Sequence, residues 1–255
     1  MKVSLLLKLT LFLFFLASTA VAQKQLGQAW DKEKYISQGQ EHYDAGRYQE
    51  AIEDFRMAVQ QRPDDALAFN DLGVALKLAG KNSEALEAFK RAVELAPKMY
   101  QAYRNLGIVY SDLNQDEQSV ESYQKAIRLN SSYAPAYIGL GGLYARLGRY
   151  REALETLRQG IRLDSLDPLA FYNLGWVYSN TKRYKEAAEA FRLAIQLDPE
   201  YAEARYNLSV VELLLGNRKG AIEQYSMLKA SNKELAEKIY DVIYSNQILK
   251  TANDK

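Results

Sequence analysis

The residues best suited to acid–base or nucleophilic chemistry are few and poorly grouped. The chain has 255 residues, with a single histidine, His42, and no cysteine. This composition excludes a thiolate nucleophile and the usual zinc sites built from Cys and His. Paired carboxylates such as Glu50/Asp54 and Glu84/Glu87 have helical spacing, and nothing marks them as an acid and a base. We interpret His42 as a packing residue and predict no catalytic residue, no metal site, no cofactor and no enzyme activity.

A glycine-rich run, Gly139-Leu140-Gly141-Gly142, is the closest approach to a phosphate-binding loop. Such a loop needs a strand before it and a helix after it, whereas this run lies inside a helical pattern. Each glycine within a helix costs about 1 kcal/mol relative to alanine. Two interpretations of Gly139 and Gly142 stay open: they clear space for a ligand backbone, or they are tolerated without a function.

The charge balance gives no electrostatic reason to expect a nucleic acid partner. The net charge of the whole chain is +1. Lys2 and Lys8 are the only charged residues among the first 22, and the remainder has 31 basic and 32 acidic side chains. Nucleic-acid-binding proteins usually carry a basic patch, so we predict none of that class.

The first 22 residues have the pattern of a secretory signal peptide. A basic start is followed by the apolar run Leu9–Leu16 and by the small-residue end Ala20-Val21-Ala22. We predict cleavage after Ala22 and an exported protein in a periplasm, a secretory lumen or the medium. The alternative is an uncleaved anchor that tethers the protein to a membrane, although the apolar run is short against the roughly 20 residues of a spanning helix.

A 34-residue period governs most of the chain. Alanine or serine recurs at this spacing, and a large apolar residue follows four positions later. The small residues are Ala51, Ala85, Ser119, Ala153, Ala187 and Ala221; the large ones are Phe55, Phe89, Tyr123, Leu157, Phe191 and Tyr225. A period of this length indicates stacked supersecondary units that bury a continuous core. The repeats leave too little chain for a separate catalytic domain.

Each period contains two helical patterns. In the second period Phe69, Leu72 and Leu76 share one face of a first helix, and Ala85 and Phe89 share one face of a second. Beside the leucine, the first helices carry a small residue: Gly39, Gly73, Gly107, Gly141, Gly175 and Ser209. Small residues let two helices approach closely while the large ones fill the space beside them.

These columns resemble the tetratricopeptide repeat family. The segments Ala170–Tyr178 and Tyr184–Phe191 are close to its first-helix and second-helix patterns. The resemblance implies an all-α fold, an α-solenoid of six helix-turn-helix repeats in a right-handed superhelix with a C-terminal capping helix. The expected boundaries are a signal peptide 1–22, a lead-in 23–31, repeats at 32–65, 66–99, 100–133, 134–167, 168–201 and 202–235, and a capping helix and tail 236–255.

The last repeat precedes a further amphipathic segment. Ser231 and Glu234 have the spacing of a capping box, and Leu235, Ile239 and Ile243 follow at helical spacing. We predict a helix that covers the exposed core of the last repeat, as terminal repeats require. The alternative is an amphipathic tail that binds a partner.

The resemblance implies that the first helices line a concave groove. The predicted partner-binding residues are those on the groove side: Lys77, Arg104, Asn105, Ile108, Ile138, Gly142, Tyr172, Asn173, Trp176, Tyr206, Asn207 and Val210. Exposed apolar and aromatic patches are typical of interaction sites, and Trp176 is the strongest candidate. Its alternative role is packing against the adjacent helix.

Three asparagines recur beside the leucine column, at Asn105, Asn173 and Asn207. In some relatives such asparagines bond the backbone of an extended peptide; the alternative is a role in local helix polarity. The chaperone-binding type of this family grips a terminal carboxylate with Lys, Asn and Arg, and Glu33 and Gln101 interrupt that set here.

We predict a non-enzymatic interaction scaffold or assembly factor that binds a peptide or helix of a protein partner. Two alternatives stay open: a structural protein that self-associates as a homo-oligomer, and an accessory substrate-binding subunit of an enzyme complex. A membrane is a partner only if the N-terminal segment is retained as an anchor.

Overall fold

The computed structural model describes residues 33–253, and beyond residue 244 it describes the backbone alone. The predicted signal peptide and most of the predicted lead-in lie outside these residues. The described chain is helical and contains no strand, which confirms the predicted all-α class. None of its helices combines the length and the apolar character that crossing a bilayer requires.

The chain divides into two compact units, one ending at Leu113 and the other beginning at Asn114. The helices of the first unit are α1 (33–44), α2 (Tyr48–Gln61), α3 (Ala66–Leu78), α4 (Asn82–Leu95) and α5 (Tyr100–Asp112). The helices of the second are α6 (Asp116–Leu129), α7 (Ala134–Arg146), α8 (Tyr150–Leu163), α9 (Pro168–Asn180), α10 (Tyr184–Leu197), α11 (Ala202–Leu214), α12 (Arg218–Ser231) and α13 (Lys233–Asn253). We refer to α1, α3, α5, α7, α9 and α11 as the first helices, and to the even-numbered helices as the second helices.

The core of each helix pair joins a small residue to a large one. Adding a Cβ atom at Gly73 of α3 would place it 2.6 Å from Cε1 of Phe89 in α4, and Gly175 of α9 stands in the same relation to Phe191 of α10 at 2.7 Å. Phe89 and Phe191 are fully buried. The aromatic ring therefore occupies the volume that a side chain on the first helix would take.

Polar and charged caps set where several helices begin. The carboxylate of Asp65 accepts hydrogen bonds from the backbone N–H groups of Leu67 and Ala68 at the start of α3. Asp167 does the same for Leu169 and Ala170 at the start of α9. These bonds satisfy N–H groups that lack a partner within the helix.

The final helix caps the second unit as predicted. Its side chains Ala236, Ile239 and Ile243 are buried in one cluster with Ala221 and Leu228 of α12. The cap residue differs from the prediction, because α13 begins at Lys233 and the side chain of Asn232 accepts from the backbone N–H of Leu235. Ser231 instead donates its hydroxyl to the carbonyl of Met227.

The turn from a first to a second helix requires a left-handed residue at one position of the period. Glycine supplies it four times, including Gly148 with a φ of 72°, whereas Lys182 occupies the same position with a φ of 60°. For a residue with a Cβ atom this conformation is less stable than the right-handed one by roughly 1–2 kcal/mol. The sequence columns did not distinguish Lys182 as a strained position.

Replacing Lys182 with glycine is expected to stabilise the protein by about 0.5–1 kcal/mol, because relief of the left-handed strain outweighs the extra entropy of glycine in the unfolded chain. Urea denaturation of the Lys182→Gly variant measures the gain. As the matched control, Gly148→Ala introduces the same strain and is expected to lose a similar amount. A Lys182→Gly variant less stable than the wild type would contradict this account.

Candidate functional site

The single histidine joins two helices of the first unit. His42 Nδ1 on α1 lies 2.7 Å from Asp54 Oδ2 on α2, and both side chains are partly buried. This side-chain contact joins α1 to α2, and the packing role of His42 stays a prediction. Among the described residues, no group of three His, Asp or Glu side chains has an arrangement that could hold a metal ion.

A cavity of about 240 Å³ in the first unit gathers four of the predicted groove residues. Lys77 of α3 and Arg104, Asn105 and Ile108 of α5 line it, together with the side chains of Tyr43, Val74, Leu78 and Phe89. All four predicted residues are partly exposed. The first helices of this unit therefore present a cleft with apolar walls and two cationic side chains, as protein and ligand recognition sites often do.

A chain of hydrogen bonds runs from this cavity into α3. Arg104 Nη1 donates to Asn105 Oδ1 at 3.2 Å, and Asn105 Nδ2 donates to Asn70 Oδ1 at 3.0 Å. Asn70 Nδ2 then donates to Asp71 Oδ1 at 3.3 Å. The order of donors and acceptors fixes the orientation of both amides. We call these four residues the polar relay.

The polar relay ends on a carboxylate that is costly to ionise. Burial raises the pKa of Asp71 above its ordinary value, the nearby charge of Asp65 raises it further, and the hydrogen bond from Asn70 acts in the opposite direction. A raised pKa means that the folded chain holds this proton more tightly than the unfolded chain does. The contribution of Asp71 to stability is therefore most favourable at low pH and is lost as the pH rises through its folded pKa.

Replacing Asp71 with asparagine is expected to stabilise the protein at neutral pH, because the amide carries no charge to desolvate. The difference in the free energy of unfolding between Asp71→Asn and the wild type should be smallest near pH 3 and should grow with rising pH. Urea denaturation across that range measures it. Asp64→Asn, at a well-exposed position, is the control. A difference that does not change with pH would contradict the assignment.

In the second unit the residues predicted to line the groove are less exposed to solvent than the sequence suggested. Ile138 is only 1% exposed, so its prediction as a groove residue is wrong. Gly160 of α8 explains this, because a Cβ atom there would lie 2.8 Å from Cγ1 of Ile138. Most other repeats have alanine at the position of Gly160. The missing methyl group lets Ile138 fill the space between α7 and α8.

The two unusual glycines of α7 make room for side chains of this chain. A Cβ atom on Gly139 would lie 2.5 Å from Cε1 of Tyr123, and one on Gly142 would lie 2.9 Å from Nδ2 of Asn173. Gly142 was predicted to face a partner, but the amide of Asn173 occupies the space beside it. Both glycines therefore lie against a side chain of this chain, and a role of Gly142 toward a partner stays a prediction.

The aromatic residues of the second unit form a partly buried set on α9 and its neighbours. Tyr172 stacks on Tyr201 with ring centroids 5.0 Å apart, and its hydroxyl accepts a hydrogen bond from Asn207 Nδ2 at 3.2 Å. Burial raises the pKa of both tyrosines. Trp176 packs beside Tyr150 at a centroid separation of 6.3 Å. The side chains of Tyr172, Tyr201 and Trp176 are all partly exposed to solvent.

The remaining predicted residues lie near the C-terminal cap. Tyr206 and Val210 are partly buried and pack against the apolar cluster of α12 and α13. The side-chain amides of Asn105 and Asn207 each donate one hydrogen bond to a side chain 35 residues earlier, to Asn70 and to Tyr172 respectively. Their role toward a peptide backbone stays a prediction. The signal for these internal bonds was present in the sequence, since a spacing of one period plus one places the partners on adjacent first helices.

Tetratricopeptide repeat models match this chain over most of its length. One tetratricopeptide repeat model matches residues 36–99 and 138–202, a second matches 181–238, and a TPR repeat model matches 109–148. No curated protein sequence matches the chain at a significant level.

Several solved structures share the fold. PilW, described as a widely conserved type IV pilus biogenesis factor, has a TM-score of 0.73 at 20% identity, covering 83% of this chain and 98% of PilW. Pseudomonas aeruginosa pilF has a TM-score of 0.70 at 17% identity, covering 84% and 98%. YrrB, described as a TPR protein with an unusual peptide-binding site, has a TM-score of 0.52 at 24% identity, covering 73% and 97%.

Proposed function

Because this chain belongs to the tetratricopeptide repeat family, we propose that it is a non-enzymatic protein-interaction scaffold that binds a segment of a protein partner along its first helices. The cavity between α3 and α5 carries this proposal. It brings together Lys77, Arg104, Asn105 and Ile108, four residues for which the family resemblance implies a position in a groove. An apolar cleft with a few convergent polar groups is the usual form of a recognition site.

The fold relatives support this kind of role. PilW is a pilus biogenesis factor and YrrB has a peptide-binding site, so the same architecture serves assembly and peptide recognition elsewhere. We also propose an exported location, on the strength of the signal-like pattern of residues 1–22. A periplasmic or envelope assembly factor would combine these two features.

Site-specific photocrosslinking in the native cell tests the proposal. A photoreactive amino acid at Ile108 or Trp176 is expected to capture another protein. The controls place it at Arg151 or Lys219 on second helices, where the side chains are at least 90% exposed. Adducts at the control sites alone would contradict the proposal. Adducts made only with a second copy of this chain would favour the self-associating structural protein.

Replacing Trp176 with alanine is expected to weaken partner binding by at least about tenfold, because buried tryptophans dominate binding energy at interfaces. Calorimetric titration with the captured partner measures the loss, and circular dichroism checks the fold. Leu193→Ala, on the second helix α10, is the control for general loss of exposed apolar surface, since Leu193 is 43% exposed. Equal affinities of the wild type and Trp176→Ala would remove Trp176 from the binding surface.

A further inference from the structure

The charged side chains that line the cavity of the first unit are all cationic. Lys77 and Arg104 are the charged members of its lining, and among the described residues no aspartate or glutamate lines it. Val74, Leu78 and Ile108 supply apolar wall. A ligand that matches this lining carries a negative group next to an apolar one.

The two cations differ in how far they are neutralised. Lys77 Nζ lies 3.8 Å from Asp112 Oδ2. Arg104 forms no ion pair with any carboxylate of residues 33–113, and its Nε atom is shielded from water with no hydrogen-bond partner. Within the described chain the positive charge of Arg104 is less compensated than that of Lys77, and its side chain is partly exposed, so that a carboxylate of a ligand can approach it. Arg104 is therefore the group in the cavity with the most to gain from an anion.

The polar relay holds Arg104 in place for this role. The bond from Arg104 Nη1 to Asn105 ties one terminal nitrogen of the guanidinium to α5, and the bonds through Asn70 to Asp71 anchor that amide on α3. A guanidinium fixed on one side loses less entropy when a carboxylate binds the other. Asn70 and Asn105 thus act as positioning residues.

We propose that this cavity binds the side-chain carboxylate of an aspartate or glutamate within an internal segment of the protein partner, with Arg104 as its ion-pairing residue and the apolar wall holding a neighbouring apolar side chain. The inference rests on the proposed function, because it specifies the chemistry of the segment that occupies the same surface. A terminal carboxylate fits less well, since Lys77 already faces Asp112 and Arg104 is the one cation of the described lining without a carboxylate partner.

Paired peptide probes test the proposal. The probes are dodecapeptides, acetylated and amidated at their ends, with one central glutamate between leucines or with glutamine in its place. The wild-type protein is expected to bind the glutamate peptides at least about tenfold more tightly than their glutamine twins, as a charge-assisted hydrogen bond predicts. Arg104→Gln should bring this ratio close to one while affinity for the glutamine peptides is retained. Arg151→Gln removes the same charge at an exposed site and should leave the ratio unchanged.

Each other outcome has a defined meaning. Equal binding of the twins by the wild type, or a preference for glutamate that survives in Arg104→Gln, would overturn the carboxylate assignment while leaving peptide binding intact. A third probe, with the central glutamine and a free C-terminus, would overturn the internal source if it bound best. Absence of binding to every probe would contradict both the inference and the cavity as a peptide site.

The positioning role has a separate test. Asn70→Ala breaks the relay without changing the charge or touching the cavity lining. We expect the ratio of glutamate to glutamine affinity to fall severalfold with the glutamine affinity unchanged. A purely structural role for Asn70 would lower both affinities together or neither, and either result would remove Asn70 from the recognition mechanism.

Discussion

Replacing Phe89 with alanine is expected to lower the free energy of unfolding by roughly 3–5 kcal/mol. Phe89 is 1% exposed and lies in one buried cluster with Leu72, Leu76 and Leu106. Its ring occupies the space above Gly73, which has no side chain to move into the gap. The cavity left by the substitution therefore persists, and both the transfer energy and the lost contacts of the ring count against the folded state.

Urea denaturation of Phe89→Ala measures this loss. Leu67→Ala is the control, because Leu67 is 64% exposed and its truncation should change stability by about 0.5 kcal/mol or less. A loss below half the expected value would show that Phe89 is not a core residue. The pair with Gly73 gives a sharper test: Gly73→Ala should be far better tolerated in the Phe89→Ala background, because the ring that its methyl group would meet is gone.

Replacing Arg192 with leucine is expected to destabilise the second unit by about 2–3 kcal/mol. Arg192 of α10 donates a hydrogen bond to the carboxylate of Glu212 on α11, whose side chain is only 4% exposed. Asn217 Nδ2 donates to the other carboxylate oxygen at 2.7 Å. Without Arg192, a buried carboxylate keeps only a neutral partner, and this residual charge is the main source of the loss.

The double variant Arg192→Leu/Glu212→Leu is the matched control. Four of the five other periods have leucine or tyrosine at the position of Glu212, including Leu76 and Tyr178, so an apolar side chain fits there. The double variant should therefore recover at least half of the stability lost by Arg192→Leu, as for other buried ion pairs replaced by apolar residues. A double variant as unstable as Arg192→Leu alone would show that the loss comes from packing of the arginine stem.

Arg149 and Arg183 make a different contact at the position that Asn217 occupies in the last period. Their guanidinium groups lie over the rings of Tyr144 and Tyr178, 4.3 and 4.4 Å from the centroids. In the last period Asn217 takes the position of Arg149 and Arg183, and Glu212 takes the position of the two tyrosines. Asn217 and Glu212 are joined by a hydrogen bond instead. Both kinds of contact, the cation–π contact and the amide–carboxylate hydrogen bond, join a first helix to the residue that directly precedes the following second helix.

The sequence predicted the helical pairs because their signal is local and repeated. Phe89 and Gly73 were identified as core residues from the 34-residue columns alone, and both lie where two helices approach closely. The surroundings of the residues predicted to bind a partner were predicted less well. Lys77, Arg104, Asn105 and Ile108 do meet in one cavity, whereas Ile138 is buried and Gly142 faces Asn173.

What the sequence by itself determined is the periodic part: which faces are apolar, which positions must be small, and which family these columns resemble. Such features depend on contacts that recur in every period, so each copy reinforces the others. The tertiary structure alone decided the positions that depart from the period, where a side chain packs against or hydrogen-bonds to one particular neighbour. Gly160 admits Ile138, and Asn70 links Asn105 to Asp71. Burial and hydrogen bonding of this kind depend on the volume and donors of a residue about 20 to 35 positions away, which no single column records.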